Sequence, residues 1–339
     1  MSKQFVCFGE LLLRLGAPGR ELLLQSPRLE VQVGGAEANV AVALTRLGHC
    51  AQVVSAVPAT ALGAAAVGEL RRHGVCTDRV QQRQGRMGLY FLNTGAMHRP
   101  SEVLYDRAGS AFALSEPASW DWPTLLNGAD VLHMSGITPA LGEAAATSTL
   151  QALAAARAAG LLVSFDCNYR SQLWQAWAGD APGLLRQCMA AADIIFGDPR
   201  DMALVLGTSY PQADATERFV AAAADCFAQF PQLRCLTATT RQVGAADQQR
   251  LGALLALPDG SLQRVEPVAL NGIVDRIGAG DAFAAGVLHG WVSGQGAEQA
   301  LRIGHAAACL KHSIPGDLPL LALADIDAFL SQASADVRR

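Results

Sequence analysis

Hydrophobic and polar positions alternate along the chain in two rhythms, and each rhythm predicts a different kind of element. Short runs rich in branched and aromatic residues, such as VLHMSG and LLVSFD, predict buried strands. Longer Ala- and Leu-rich runs predict helices, one of them from Ala36 to Leu47 with a stop at Gly48. Because strand-like and helix-like runs alternate along the chain, the pattern predicts an α/β protein with a mostly parallel central sheet and helices on both faces.

Two segments interrupt this alternation. Residues 13–33 and 86–107 contain short alternating strands (LEVQV, GLYFLN, EVLYD) separated by turn residues, without a helical period. We expect these strands to form a small discontinuous β-sheet lid. Residues 1–12, 34–85 and 108–339 then make up the main α/β domain.

Composition narrows the classes of partner. The chain has 339 residues, of which 51% are hydrophobic and 17% are charged, so it can bury a large core. A net charge of −4 without a long basic run argues against nucleic acid and against a membrane surface, and favours a small-molecule ligand. No signal-peptide pattern or long uncharged apolar run occurs, so we expect a cytoplasmic protein. The eight cysteines are dispersed and form no CxxC pair.

The run VDRIGAGDAFAAG has the features of an anion site at a strand-to-helix junction. Gly278, Ala279 and Gly280 allow successive backbone amides to converge, and a helix that begins near Asp281 adds its positive end. The spacing matches neither GxGxxG nor GxxxxGK[ST], which disfavours the dinucleotide and P-loop classes. For Asp281, an ordinary acidic residue in the first turn of a helix is the alternative interpretation.

Two further junctions carry polar side chains. Gly35 precedes an apolar helix in which Asn39 either reaches a pocket or satisfies nearby backbone groups. In LLVSFDCNYR, Asp166, Asn168 and Arg170 alternate, and they would share one face if the extended conformation continued. Arg170 is either a clamp for a carboxylate or phosphate, or a surface residue paired with Asp166.

The lid segments add two phenols and a guanidinium, from Tyr90, Tyr105 and Arg107. These groups suit a polyhydroxylated substrate that also bears a carboxylate, although tyrosines on strands are often packing residues. A lid sheet with apolar faces and open edges would be covered well by a second subunit. We therefore expect a homo-oligomer that forms through the lid.

Taken together, VGGAEANVAVALTRLG, DCNYR and DRIGAGDAFAAG resemble the PfkB/ribokinase family of carbohydrate kinases over nearly the whole chain. Within the family, HMSGITPAL, YDRAGSA and LKHSIPGD are similar to the 2-keto-3-deoxygluconate kinases. The resemblance implies a ribokinase-like fold and transfer of a phosphoryl group from ATP, with Mg²⁺, to the 6-hydroxyl of 2-keto-3-deoxygluconate. A kinase of fructose or 5-keto-2-deoxygluconate, or a catalytically silent sugar-acid sensor, remains an alternative.

The resemblance also implies roles for the candidate residues. Asp281 would be the general base, and Gly278, Ala279 and Gly280 would form the anion hole with it. On the sugar side, it implies binding residues at Gly35, Asn39, Tyr90, Tyr105, Arg107, Arg170 and Asp281. Arg107 and Arg170 would hold the carboxylate, because a neutral sugar would not compensate for the desolvation of two guanidiniums.

On the nucleotide side, this sequence departs from the family pattern. The run LTATTRQVGAADQQRLGALL replaces the usual K-x-G-x-x-G loop, and IIFGDPRDMALVLG replaces the N-x-x-E motif. Asp198 and Asp201 would then act on Mg²⁺ through water. The nucleotide positions implied by the resemblance are Asn168, Thr239, Arg241, Gly244, Gly278, Gly280, Ala307 and His312. The last two lie in RIGHAAACLKH, which could equally be a core helix with a basic end.

Overall fold

The computed structural model describes residues 2–331, in which strands and helices alternate as predicted. Met1 and residues 332–339, the two ends of the predicted main domain, lie outside the described part. The strands are β1 (Gln4–Phe8), β2 (Leu12–Gly16), β3 (Glu30–Gly34), β4 (Cys50–Pro58), β5 (Val80–Arg83), β6 (Gly88–Asn93), β7 (Glu102–Asp106), β8 (Val131–Ser135), β9 (Leu162–Asp166), β10 (Ile194–Phe196), β11 (Cys235–Ala245), β12 (Gln248–Ala256) and β13 (Leu262–Asn271). The α-helices are α1 (Ala36–Arg46), α2 (Ala61–Arg72), α3 (Trp122–Leu125), α4 (Glu143–Ala158), α5 (Ser171–Gln175), α6 (Ala181–Ala190), α7 (Pro199–Leu206), α8 (Ala215–Gln229), α9 (Ala279–Val292), α10 (Ala297–Lys311) and α11 (Leu323–Leu330).

The larger sheet confirms the predicted α/β class. Within the described residues it has nine strands in the order β13-β12-β11-β10-β9-β8-β1-β4-β5. The strands from β11 to β5 in this order pair in parallel, and β12 and β13 extend the sheet as an antiparallel hairpin. The chain reverses its direction of travel across the sheet between β1 and β8. In open α/β sheets, ligands bind beyond the carboxyl ends of the strands near such a reversal.

The central strand β1 shows why the sheet is covered on both faces. Phe5 and Cys7 join the hydrophobic cluster on one face, whereas Val6 and Phe8 join the cluster on the other. Phe8 makes edge contacts with the ring of Trp120, 5.2 Å between centroids. An apolar residue at every position of a strand therefore indicates a buried parallel strand, not a half-exposed one.

The smaller sheet contains β3, β2, β6 and β7 in that order, and these strands come from the two segments that break the βα rhythm. Buried and partly exposed residues alternate along β6, as expected for a sheet with one covered face. Tyr90 lies directly opposite Tyr105 on the neighbouring strand, so both side chains point to the same face. The division of the chain into a main domain and a lid stays a prediction.

Helices α9 and α10 form an unusually close antiparallel pair. A Cβ atom added to Gly286 would lie 2.7 Å from Cα of Gly304, and one added to Gly290 would lie 2.5 Å from Cα of Ala300. Only glycine allows the two backbones to approach this closely. Among all helices between residues 2 and 331, none is long and apolar enough to cross a membrane.

Candidate active site

A cleft of about 940 Å³ lies between the two sheets, at the carboxyl ends of β9, β10 and β11 and at the start of α9. It brings together most of the predicted site residues, namely Gly35, Asn39, Tyr90, Tyr105, Arg107, Asn168, Arg170, Asp198, Asp201, Thr239, Arg241, Gly278, Ala279, Gly280 and Asp281. Gly244, Ala307 and His312 do not line it.

The start of α9 presents free backbone amides to this cleft. Gly278 precedes the helix with a φ of 78°, and a Cβ there would lie 2.0 Å from the carbonyl oxygen of Asp317, so glycine is required. The Ala279 amide donates a 3.3 Å hydrogen bond to the carbonyl of Arg276. Within the described chain, the amides of Gly280 and Asp281 have no backbone acceptor, and they are the donors available to an anion.

Asp281 lines the cleft and is 9% exposed. Its Oδ2 accepts a 2.7 Å hydrogen bond from Nδ2 of Asn39. Burial raises the pKa of Asp281 to about 7; the negative charges of Glu37 and Asp317 act in the same direction, while Asn39 and Arg170 oppose the shift. A carboxylate with a pKa near neutrality can accept a proton and release it again.

The two polar residues at the start of α1 have different roles. Glu37 and Asn39 are two positions apart, so they point to nearly opposite sides of the helix. Oε1 of Glu37 accepts hydrogen bonds from the amide and hydroxyl of Ser135 and from the hydroxyl of Thr138. Glu37 therefore ties α1 to the main sheet, whereas Asn39 faces the cleft.

The face of the lid sheet that carries the two tyrosines closes one side of the cleft. The hydroxyl of Tyr90 donates a 2.6 Å hydrogen bond to Oδ2 of Asp317. Nε of the buried Arg107 donates to Oε2 of Glu10, which leaves its terminal nitrogens for other partners. Tyr105 is partly exposed and lines the cleft. The lid groups are thus held in position before any ligand arrives.

The polar run after β9 does not continue as a strand. Its three alternating side chains were expected to share one face only if the extended conformation continued, and that condition is not met. Asn168 has a φ of 38°, and its amide turns back to Oδ1 of Asp166 at 3.1 Å. Arg170 is exposed at the start of α5. The turn still brings all three side chains to the cleft. Burial raises the pKa of Asp166 to about 8, helped by the charge of Asp281 and opposed by Arg170.

Two acidic residues at the start of α7 cap that helix. Oδ1 of Asp198 accepts the amide of Arg200, while Oδ2 of Asp201 accepts the amide of Asp198, which completes a capping box. Asp198 also pairs with the Arg200 guanidinium. Burial, followed by the charge of Asp198, raises the pKa of Asp201 to about 6. Over residues 2–331, no group of three or more His, Cys, Asp or Glu side chains is arranged to hold a metal ion.

Among the residues predicted to bind the nucleotide, Arg241 has the best-defined contacts. Its NH1 donates to Oε1 of Gln249 and lies 3.1 Å from Nε2 of His312. Because Nδ1 of His312 lies 2.6 Å from the carbonyl of Ala308 and must donate to it, Nε2 is the acceptor for Arg241. Burial and the neighbouring Arg276 lower the pKa of Arg241 to about 10. His312 is therefore placed behind Arg241, where it orients the guanidinium.

The other two positions outside the cleft have clear structural surroundings. Gly244 lies where the pairing of β11 with β12 shifts register, near the end of the hairpin. Ala307 is buried in a small hydrophobic cluster with Ala282, Ile303 and Ile326. Because α10 is buried on most sides, its sequence pattern could not indicate which residues face the cleft.

A buried ionic cluster next to the cleft was missed by the sequence reasoning. NH1 of Arg14 lies 2.6 Å from Oδ2 of Asp275 and 3.2 Å from Oδ1 of Asp317. Asp317 and the exposed Arg276 also line the cleft. Asp275 belongs to the glycine-rich run and Asp317 to the late segment LKHSIPGD, but no local spacing links either carboxylate to an arginine far away in the chain.

Comparisons with known proteins find similarity over nearly the whole chain. Residues 2–318 match the pfkB family carbohydrate kinases. A 2-dehydro-3-deoxygalactonokinase of Haloferax volcanii is 33% identical over 339 residues, which are 100% of each chain. A 2-dehydro-3-deoxygluconokinase of Thermoproteus tenax is 28% identical over 317 residues, or 92% of this chain and 89% of that protein. The crystal structure of a 2-dehydro-3-deoxygluconokinase from Thermotoga maritima has a TM-score of 0.92 and 35% identity, with 97% of this chain and 99% of that chain covered.

Proposed function

We propose that this chain, which belongs to the pfkB family of carbohydrate kinases, transfers the γ-phosphoryl group of ATP to the 6-hydroxyl of 2-keto-3-deoxygluconate. Family membership confirms the resemblance seen in the sequence, together with its ribokinase-like fold and its ATP-dependent phosphotransfer. The observation that carries the proposal is the position of Asp281, a buried carboxylate with a pKa near 7 beside free amides at the start of α9.

In the proposed reaction, the substrate hydroxyl oxygen attacks the γ-phosphorus while the bond to the β,γ-bridging oxygen breaks and ADP leaves. Asp281 takes the proton of the hydroxyl, and Asn39 orients the carboxylate through the 2.7 Å hydrogen bond. The amides of Gly280 and Asp281 stabilise the charge on the transferring group, with Gly278 giving the loop its shape. Ala279 contributes packing rather than a donor, because its amide is already bonded.

The sugar side of the cleft supports an acidic substrate. Arg107 and Arg170 both line the cleft; Arg107 is paired with Glu10, and the charge of Arg170 counteracts the raised pKa of Asp166 and of Asp281. We propose that they hold the substrate carboxylate, since two guanidiniums facing a neutral sugar would lose hydration without compensation. Gly35 and Asn39 would contact sugar hydroxyls, and Tyr90 and Tyr105 would cover the sugar and exclude water.

The nucleotide side supports a smaller set of contacts than the sequence predicted. We propose that Asn168, Thr239 and Arg241 face ATP, together with Arg276, because these four side chains line the cleft. Gly244, Ala307 and His312 would act only through the shape of the hairpin, the packing of α10 and the orientation of Arg241.

Mg²⁺ fits the chemistry of the acidic residues near α7. Oδ2 of Asp201 accepts the amide of Asp198, whereas Oδ1 of Asp201 does not. Burial, and then the charge of Asp198, raises the pKa of Asp201, so a nearby cation would be favourable. Mg²⁺ prefers oxygen ligands and keeps several waters, which suits contacts through water to these two carboxylates. When bound with ATP, the metal neutralises phosphate charge.

A substrate panel tests the proposed function directly. Purified protein with ATP and Mg²⁺ should release ADP with 2-keto-3-deoxygluconate, and nuclear magnetic resonance of the product should place the phosphate on C6. Fructose and 5-keto-2-deoxygluconate serve as the competing substrates. Turnover with neutral sugars alone would overturn the sugar-acid proposal, and binding of sugar acids without any turnover would indicate the sensor alternative.

A second candidate substrate is 2-keto-3-deoxygalactonate, the C4 epimer. It is favoured by the full-length similarity to the Haloferax volcanii 2-dehydro-3-deoxygalactonokinase. The ratio of kcat/KM for the two epimers decides between them. A ratio near one would indicate a kinase that accepts both.

We also propose that the protein forms a homo-oligomer through the lid. On the face of the small sheet that points away from the cleft, Val31, Leu15, Phe91 and Leu104 lie in one row across the four paired strands. Val31 and Leu104 are 57% and 47% exposed, and such a continuous apolar row favours burial against a second copy. Sedimentation should show an oligomer that Leu104→Glu dissociates. A monomeric wild-type protein would contradict this proposal.

A further inference from the structure

Lys311 is a fully buried lysine in a chain in which nearly all Lys and Arg positions are arginine. Lysine occurs only at Lys3 and Lys311, among 26 Lys and Arg residues. Lys3 is partly exposed and pairs with Asp130, whereas Lys311 has no exposed surface. Burial of an ammonium group is costly unless other groups compensate for it, so this position needs an explanation.

The side chain of Lys311 lies directly behind the glycine-rich loop. A Cβ added to Gly278 would lie 3.3 Å from Cε of Lys311. Nζ donates a 3.0 Å hydrogen bond to the carbonyl of Ile314, just after α10. Lys311 does not line the cleft, so it cannot contact the substrates there directly.

The ammonium group faces a balanced set of charges. Burial lowers the pKa of Lys311, and the carboxylates of Asp275 and Asp317 are the strongest opposing influences, while Arg14 acts in the same direction as burial. Asp275 accepts the amides of Ile277 and Gly316, so it joins the loop before α9 to the loop after α10. Two carboxylates and two cations therefore surround the junction of these loops.

The two cations of this cluster belong to different parts of the fold. Arg14 is on β2, in the small sheet, and its ion pairs with Asp275 and Asp317 adjoin the hydrogen bond from Tyr90 to Asp317. Lys311 is on α10, which packs closely against α9. Arg14 is thus linked to Tyr90 through Asp317 and to the loop before α9 through Asp275, whereas Lys311 lies only behind that loop, next to Gly278.

We propose that Lys311 is a positioning residue for phosphoryl transfer, whose buried ammonium balances Asp275 and Asp317 and so fixes the loop that presents the amides of Gly280 and Asp281. The inference rests on the proposed anion hole. Loss of this charge leaves the cluster with a net negative charge directly behind the site where the phosphoryl group would bind. The alignment of the amides then weakens, and kcat is the parameter that should fall.

Lys311→Met, compared with Arg14→Met, tests this assignment, because each substitution removes one positive charge from the same cluster. We expect Lys311→Met to lower kcat by ~10–100-fold with both KM values within ~3-fold of wild type. Arg14→Met should lower kcat as well but also raise the KM for the sugar by more than ~3-fold, because only Arg14 adjoins the hydrogen bond from Tyr90 to Asp317. In Lys311→Ala, added ammonium or methylammonium ions should recover kcat by at least ~5-fold, because they can enter the vacated space and restore the charge. A purely structural role predicts a lower Tm with unchanged kcat and no rescue, and that result would overturn the proposal.

Spectroscopy of the wild-type protein gives a readout that does not depend on folding of the Lys311 variants. Lysine labelled isotopically at Cε gives two side-chain signals from the folded chain, and loss of one in Lys3→Arg assigns the other to Lys311. A non-hydrolysable ATP analogue with Mg²⁺ should shift the Lys311 signal and leave that of Lys3 unchanged. An unshifted Lys311 signal would contradict the proposal. Wild-type turnover in the substrate panel tests the proposed function separately, so failure of one inference is distinguishable from failure of the other.

Discussion

The proposed sugar side and the proposed nucleotide side of the cleft differ in how their charged groups are paired. On the sugar side, Tyr90 is bonded to Asp317 and Arg107 to Glu10, and all four side chains are buried. On the nucleotide side, Arg276 is exposed, and its charge opposes that of Arg241 instead of pairing with it. The groups proposed to hold the sugar are thus fixed by one another, whereas Arg241 is held by Gln249 and His312, and neither it nor Arg276 has a carboxylate partner among the described residues. This difference predicts that substitutions on the two sides will affect different kinetic parameters.

The largest effect is expected where the two sides meet, at Asp281. Asp281→Asn keeps an acceptor for Asn39 but removes the base, so kcat should fall by ~10²–10⁴-fold while both KM values change little. Steady-state kinetics with each substrate varied in turn measures this. Turnover close to wild type would show that another group accepts the proton.

A smaller effect, limited to the sugar substrate, is expected at Arg107. Because removal of this guanidinium alone would leave Glu10 charged and buried, the test uses Arg107→Met together with Glu10→Gln. We expect kcat/KM for the sugar acid to fall by ~10–100-fold, with the KM for ATP unchanged. Glu10→Gln alone is the matched control. Equal losses for acidic and neutral sugars would remove the argument that Arg107 recognises a carboxylate.

On the nucleotide side, Arg241→Met should raise the KM for ATP by ~3–10-fold without changing the KM for the sugar, as loss of one partly solvated phosphate contact would. Gly244→Ala is the control, since Gly244 is in the same hairpin but outside the cleft and has a φ that alanine accepts. If both variants raised the KM for ATP equally, the hairpin and not the guanidinium would be the important feature.

The smallest effect is on stability, and it should be opposite in sign to the effect on activity. The pKa of Asp281 is about 7 in the folded protein and about 4 when unfolded, so the folded state binds more protons in this interval and the wild type loses stability as pH rises through it. Asp281→Asn has no carboxyl group at this position, so its stability does not fall in this way as the pH rises. Its Tm should exceed that of the wild type at pH 8 by a few degrees, with a smaller difference at pH 5. Thermal unfolding at both pH values measures this, and a constant difference would contradict the assigned pKa.

The difference between the two sides also explains which residues the sequence could predict. Asp281, Asn39 and Gly35 lie at strand-to-helix junctions, where the period of the chain changes and a polar or glycine residue stands out. The turn at Asn168 was missed although its signals are local, since asparagine tolerates the left-handed backbone and the side chain of Asp166 accepts the amide two residues later. Ala307 was ambiguous for another reason, since a helix buried on nearly all sides has no polar face to orient it.

The overall architecture was more predictable than the ionic cluster. Fully apolar strands such as β10 and alternating strands such as β6 have different patterns, and the structure follows that difference in its two sheets. By contrast, the pairing of Arg14 with Asp317 joins residues about 300 positions apart through the closure of the fold, as the 2.6 Å bond from Arg14 to Asp275 also does. Sequence spacing carries no information about such contacts.

The glycine contacts between α9 and α10 restrict how this enzyme can be recombined with its relatives. Because the backbones approach closely at Gly286 and Gly304, an exchanged α9 with a larger residue in place of Gly286 would put a side chain where only backbone fits. The two helices carry Asp281 at one end of the pair and Lys311 nearby, so they are best exchanged as a single cassette. An exchanged lid must instead keep Arg14 and Tyr90, whose buried contacts with Asp275 and Asp317 join the small sheet to the loops around α9 and α10.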